Sequence, residues 1–432
     1  MKVVIAGAAL LIAALPLGAH AANWQQIQGN EPLDSGHFKI FGFLQPTYTS
    51  VDADPIEGLL GAAAPFNGQL TVPNRVGPDL KGGSELQFNR ARLGLRGNIV
   101  PGKINYFLLA EAGRNAITSD RDLMLTDASI TFNYIPGARI RAGLFKLPTS
   151  EEALVAVHTS YPYVNFSNVA TNLLVESQVE ATGAVNAAGA SNGAVVSGGS
   201  GFRDWGLQVY DWVNRGPWEF SYALMASNGN EIGEFNDNDN SKDVTGRLQA
   251  SYVFGKSKGP NREEASVWLW HQNGERRFGG QDFDRTREGV GARYQKGPWR
   301  ATAEYLRGDG MIVAGPNPPF PGQPVQIGAS EKADGWYVEG GWRFHKEWEV
   351  DLRHDTFNRM TQTAALERRL TSTTLGLQYF FYKNTRLTLN YEWRDLEVPG
   401  LQAIAAGAPR SNAQLIANNL GDRASVQVTW FF

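Results

Sequence analysis

The chain of 432 residues contains no cysteine, which excludes both a disulfide framework and a thiolate metal site. Beyond residue 21 it has no run of about 18 or more uncharged apolar residues, and this sets aside a helical membrane span. A basic excess is missing too: 40 Lys and Arg stand against 43 Asp and Glu, a net charge of −3, which does not suit a nucleic-acid binder. Histidine is scarce. His37, His158, His271, His345 and His354 are isolated, with no His-x-x-x-His or Glu-x-x-His pair to converge on a metal. No strand-to-helix nucleophile elbow and no phosphate-cradling Gly-x-x-x-x-Gly-Lys-Ser/Thr loop is expected, so enzyme chemistry has no motif to rest on and no cofactor is implied.

What the chain does have begins with an address. Lys2, the apolar stretch Val3 to Leu17 and the small-x-small triplet Ala19-His20-Ala21 predict an export signal cleaved after residue 21. Residues 22–36 then form a short periplasmic segment, and residues 37–432 one domain. The chain carries 48 Gly, 12 Trp, 14 Tyr and 22 Phe, a mixture of tight turns and β-favouring rings.

From His37 the sequence falls into segments in which apolar and polar residues alternate, the period of a strand with two unlike faces. Eight such segments run from His37 to Thr49 through Asp243 to Phe254, and eight more from Ala265 to Gly274 through Arg423 to Phe432. Tight connections such as Pro136-Gly137 and Lys383-Asn384 alternate with long ones. Short turns on one side and long loops on the other predict an all-β fold: a 16-stranded transmembrane antiparallel barrel with periplasmic turns and extracellular loops. Aromatic residues beside the tight turns, among them Trp218, Trp299, Trp342, Trp348 and Tyr379, read as a girdle at one membrane interface. In the last segment Ala424, Val426, Val428, Trp430 and Phe432 share one face, and Ser425, Gln427 and Thr429 the other. An amphipathic strand ending on Phe432 is similar to those recognised by the barrel-assembly machinery.

The stretches Phe88 to Gly97, Ile104 to Ala112, Asp127 to Tyr134 and Arg141 to Pro148 resemble the phosphate-selective porin O and P family. That resemblance implies a 16-stranded barrel in the outer membrane of a Gram-negative bacterium, in contact with lipid and lipopolysaccharide. It also implies a homotrimer and a third loop folded into the channel. The third long link here is residues 149–201. Its first half, with Tyr161, Tyr163, Asn165 and Phe166, reads as the constriction, and its Gly/Ala/Ser-rich second half as a flexible insertion. Phosphate-specific members are expected to line their constriction with lysines. This segment has none and carries Glu151, Glu152, Glu176 and Glu180, so a dedicated phosphate site does not follow from membership.

Strict alternation turns Arg90, Arg92, Arg96, Arg139, Arg141, Arg285, Arg287 and Arg293 towards the lumen, with Arg247, Arg300, Arg343, Arg353, Arg386 and Arg394. The acids on that face are Glu111, Asp127, Glu219, Glu304, Glu339, Glu349, Asp351, Asp355 and Glu392. Arginines in excess favour small anions, because guanidinium stays charged and offers a fork of donors. The bland reading is that they pair with the acids and solvate the wall. Function is therefore expected to be passive diffusion of small hydrophilic solutes with anion preference, phosphate or similar oxyanions included, against a non-specific general diffusion porin and a receptor or adhesin. The receptor reading would need a plug, for which residues 22–36 are too few. Asp237 and Asp239, in an acidic loop with Glu234 and Asp243, are a weak calcium candidate without ordered ligand spacing.

Overall fold

A computed structural model describes residues 30–31, 36–72, 83–115, 123–175, 177–181, 190–199, 202–230, 232, 240–255, 259 and 261–432. The expected signal peptide, most of residues 22–36, and Asp237 and Asp239 lie outside these residues.

The strands, in chain order, are β1 Lys39–Asp52, β2 Ser84–Val100, β3 Ile104–Glu111, β4 Met124–Ile135, β5 Ala138–Lys146, β6 Ser177–Ala181, β7 Ala190–Gly199, β8 Arg203–Arg215, β9 Trp218–Ser227 and β10 Asp243–Val253. There follow β11 Glu264–Phe278, β12 Gln281–Lys296, β13 Trp299–Asp309, β14 Ile312–Pro316, β15 Val325–Gly328, β16 Lys332–His345, β17 Trp348–Arg359, β18 Arg368–Tyr382, β19 Thr385–Glu397 and β20 Asp422–Phe431. All but β6, β7, β14 and β15 pair with their neighbours in sequence order into one closed antiparallel barrel of 16 strands, one for each alternating segment.

Closure is made by β1 and β20, where Thr49 faces Ser425 and Phe43 faces Phe431. Gly42 and Phe432 exchange both backbone hydrogen bonds, at 3.1 and 3.0 Å, so no edge is left at the seam. Polar side chains cross the same seam on the inside: Gln45 donates to Thr429 at 3.1 Å and Gln427 to Thr47 at 2.9 Å. On the outside Val426, Trp430 and Phe432 are exposed, while Ser425, Gln427 and Thr429 are buried. The alternation read from the sequence is thus the division between a greasy outer wall and a polar interior. Large apolar residues such as Leu93, Leu248, Val267, Leu269 and Val290 stand more than half exposed on the outer wall. That cost in water is removed if the wall faces lipid. At the tight-turn end Trp299 stacks on Trp342 at 5.4 Å and Trp348 on Tyr379 at 4.5 Å, as the girdle requires.

The remaining strands form a separate four-stranded sheet in the order β14-β15-β7-β6. Part of the Gly/Ala/Ser-rich tract, expected as a flexible insertion, is therefore strand, with Ser191 opposite Ile327 and Asn192 opposite Gln326. The partner comes from the loop after β13, which no local period could show. Gly189 to Gly193 does spell the Gly-x-Ser-x-Gly pattern of a nucleophile elbow. Its Ser191, however, sits within the β7 ladder and not at the strand-to-helix turn on which a nucleophile elbow is built.

Three long loops are tied together at the opposite end from the tight turns. Ile56, Leu59 and Phe320 form a buried apolar cluster with Phe66 and Ile416 packed against it, and Phe66 stacks on Phe320 at 4.7 Å. Asn412, on the helix Ala408–Ala417, accepts from the Leu60 amide and donates to the Leu60 carbonyl, both at 2.9 Å.

Candidate functional site

The segment from Leu147 to Val175 leaves β5 and touches inward-facing residues of walls far from it. Two short helices shape it, Glu151–Leu154 capped by Ser150 and Asn168–Leu174 capped by Ser167, each cap accepting from the amide three residues on. The second helix lies close against the wall because glycine leaves room there. A Cβ on Gly335 would meet Val169 at 2.8 Å, and one on Gly308 would meet Leu173 at 2.8 Å. Beyond these contacts the segment is fixed by polar groups. Val164 donates its amide to Asn390 at 2.7 Å, Asn165 its side chain to Glu392 at 2.7 Å, and Asn168 its amide to Asp355 at 2.8 Å.

At the centre of this docking stands Glu152. It accepts from Tyr161 Oη at 2.5 Å, from Ser167 Oγ at 2.5 Å and its amide at 3.1 Å, and from Arg353 at 3.2 Å. Burial pushes its carboxyl up, while Arg353 and the hydrogen bonds from Ser167 and Tyr161 pull it back. Glu304 plays a similar part on the wall: Trp268, Trp270 and Tyr337 donate to it at 2.8, 3.0 and 2.9 Å, and the Glu151 amide at 3.1 Å. His158 is stacked on Phe43 at 4.7 Å and meets Phe431 edge-on.

His158 yields a pH prediction. Burial first, then Arg92, Arg386, Lys146 and Arg96, push its imidazole down to about 3. The unfolded value is about 6.5, so below that pH the undocked segment binds a proton that the docked one refuses, and docking weakens as pH falls from about 6.5 towards 3. The thermal transition of wild-type protein should drop more between pH 7 and 4.5 than that of His158→Phe, which keeps the stack. Equal drops would refute the assignment.

The sequence-predicted residues divide into three groups. Arg92 is paired with Glu111 at 2.7 Å, Arg293 with Glu151 at 3.1 Å, Arg96 with Glu31 and Arg139 with Asp211. Arg285 bonds Gln272 at 3.0 Å and stands 3.9 Å from Asp243. Others bond neutral acceptors: Arg90 bonds Gln45 at 3.1 Å and lies over the Phe166 ring, and Arg141 bonds Thr131 at 3.2 Å and Tyr210 at 2.9 Å. Arg287 is a brace: it donates to the carbonyls of Leu173 at 3.2 Å, Gly310 at 2.9 Å and Met311 at 2.9 Å. Tyr161, Tyr163, Asn165 and Phe166 come together inside the barrel, the two tyrosines almost wholly buried. Of the wider set, Arg343 is exposed beside a tight turn within a register shift, where it bonds the Lys346 carbonyl at 2.8 Å. Asp243, from the acidic loop, is held by Arg276 at 2.8 Å.

Two cations were missed. Lys146 bonds the Val155 carbonyl at 3.2 Å and Arg203 pairs with Asp127 at 2.9 Å. Both belong to the outward face by strict alternation, yet they flank the segment where strand geometry gives way, and both are turned inward. Arg386 likewise bonds only segment carbonyls in the contacts observed, Val157 at 3.2 Å and Tyr161 at 2.7 Å.

Set beside known proteins, the chain matches the family model described as phosphate-selective porin O and P over residues 270–398. This is the family it resembles, although the match lies on β11 to β19 and not on the stretches that carry the resemblance. No curated protein matches. Among solved structures it is similar to an anion-selective porin from Comamonas acidovorans, at 16% identity and a TM-score of 0.53 over 92% of this chain and 100% of that one. It is also similar to the Salmonella typhi OmpF complex with daunomycin, at 13% identity and 0.56 over 91% and 97%. The outer membrane channel DcaP of Acinetobacter baumannii gives 13% identity and 0.51 over 94% and 100%. These likenesses establish the porin barrel fold.

Proposed function

We propose that the chain is an outer-membrane porin for passive diffusion of small hydrophilic solutes, with a preference for anions, and that it is not an enzyme. The observation that carries the preference is the kind of partner its cations have. Arg90 and Arg386 are hydrogen-bonded to amide and carbonyl oxygens, which engage some of their donors without cancelling their charge. Many other arginines are neutralised by carboxylates, so the wall works partly as a solvated charge ladder. The residual field comes from the arginines beside the Leu147 to Val175 segment, which acts as the constriction. The signal peptide, insertion beside lipopolysaccharide through the barrel-assembly machinery and a homotrimeric state complete this reading. Phosphate and similar oxyanions fit the field.

The test is electrical. Purified protein in a planar bilayer under a potassium chloride gradient should conduct with a reversal potential of anion sign, stronger at 0.01 M than at 1 M salt, because the Debye length shrinks from about 30 to about 3 Å. Absence of conductance would sink the porin reading, and cation sign the preference.

A further inference from the structure

The outer wall of the barrel differs between its two sides. On β12, β13, β16, β17, β18 and β19 the outward residues Glu288, Arg307, Asp334, Asn358, Arg369 and Glu397 stand directly opposite one another, strand after strand. His271 of β11 extends the row, 3.5 Å from Glu288. Side chains link along it. Arg307 lies 3.8 Å from Glu288, Asn358 donates to Asp334 at 2.9 Å, and Arg369 donates to Asn358 at 2.8 Å and to Glu397 at 3.2 Å. The ionisable members His271, Glu288, Arg307, Arg369 and Glu397 are 42% to 56% exposed. The next outward row towards the tight turns, on β11, β12, β13 and β16, is Leu269, Val290, Tyr305 and Trp336, all exposed. At a comparable distance from the tight turns on the opposite side of the barrel, β2 exposes Leu86 and Phe88, and β4 exposes Leu125.

The height of the charged row can be placed. Asn358 and Arg369 are ten residues along β17 and β18 from the girdle pair Trp348 and Tyr379. At about 3.4 Å per residue and a tilt of about 40°, this is about 26 Å along the membrane normal, close to the apolar band of about 25 Å that such a barrel presents to lipid. The row therefore follows the far edge of the band, at the level of lipid headgroups, with a tyrosine and a tryptophan just inside it. Exposed ion pairs contribute little to stability, so these arginines exchange partners at small cost. A guanidinium fork matches phosphate oxygens, and a phosphate group carries more charge than the carboxylate it displaces. Carboxylates released in this way are oxygen ligands for divalent cations, which phosphates also bind. The alternating sign of the row thus complements a leaflet in which phosphates and divalent cations alternate. We infer that the β11 to β19 side docks the phosphate-bearing headgroups of lipopolysaccharide. Arg307 and Arg369 take the phosphates, Glu288 and Glu397 share divalent cations with them, and the acyl chains lie on the row of Leu269, Val290, Tyr305 and Trp336. The inference rests on the outer-membrane placement of the barrel and not on what the pore conducts.

Lipid A, the phosphorylated acyl anchor of lipopolysaccharide, and its dephosphorylated form separate headgroup recognition from greasy contact, since they share acyl chains. Each is titrated with magnesium into the full barrel in an uncharged detergent, and bound lipid is counted by native mass spectrometry. Wild-type protein should bind lipid A saturably and about tenfold or more tighter than the dephosphorylated form, and chelating the magnesium should weaken it. Arg307→Gln with Arg369→Gln should raise the half-saturating lipid A concentration about tenfold and leave the dephosphorylated form unaffected, as expected for loss of charge-assisted hydrogen bonds. Heat-modifiable migration confirms that the variant is folded, and the comparison of the two lipids on wild-type protein needs no variant. Inorganic phosphate should not compete at the concentrations at which lipid A saturates. Equal binding of the two lipids, a double variant that binds lipid A as the wild type does, or full displacement by inorganic phosphate would overturn the docking site. None of these results bears on conductance, which tests the porin reading separately.

Discussion

Replacing Glu152 by alanine should give a folded barrel whose single-channel conductance is larger and noisier than that of the wild type. The substitution removes the acceptor shared by Tyr161, Ser167 and Arg353 and leaves the Arg353 guanidinium buried without it. Breaking a buried pair by deleting one partner costs about 3–5 kcal/mol. A change of that size shifts the docked-to-undocked ratio of the segment by roughly two to four orders of magnitude. Closure of the barrel does not depend on this carboxylate, since its strands pair round the full circle. Adding Arg353→Met should not restore docking, because that guanidinium also faces the buried Asp355 at 3.5 Å, which would then be stranded in its place. Conductance unchanged in Glu152→Ala would show that the segment does not limit the current.

Arg90→Gln combined with Arg386→Gln should lower the anion-to-cation permeability ratio by roughly an order of magnitude at low salt. An ion about 7 Å from a unit charge in water feels about 0.6 kcal/mol, a factor of nearly 3 in occupancy, with opposite signs for anion and cation. Two charges multiply that effect and salt reduces it. The amide of glutamine keeps a donor for the Gln45, Val157 and Tyr161 acceptors, so the comparison isolates charge from packing. Arg386→Lys, which retains the charge, should keep the ratio. Arg287 is a poor choice for such an experiment: charge reversal there would break the brace on Leu173, Gly310 and Met311. A double variant with wild-type selectivity would place the field elsewhere.

The barrel was legible because lipid and lumen impose opposite demands on alternate residues, and a strand such as β20 writes both along its length. The same alternation places Arg90, Arg141 and Arg287 on the inner face, and in the structure their side chains are buried. It failed at strand ends, where Lys146 and Arg203 swing into the lumen, and at the register shift between Trp342 and His345, within which Arg343 is exposed. What each arginine holds was not legible. Glu152 and Arg353 are 201 residues apart, and Ser191 of β7 meets Ile327 of β15 across the barrel strands β8 to β13, so only the closed fold brings them together. The aromatic and asparagine-rich run from Tyr161 to Asn168 marked the segment as unusual, but not that its polar groups are spent on docking.

The stack of Phe66 on Phe320, with Ile416 beside it and Asn412 bonded to Leu60, makes one surface out of three loops. A protein approaching that end meets a discontinuous epitope, whose parts are separated by hundreds of residues in the chain. A peptide copied from residues 56–72 would lack its neighbours, and serum raised against it should recognise the folded barrel poorly. Substitutions in one of these loops are likewise coupled to the other two, so variation at this surface is constrained to move in concert.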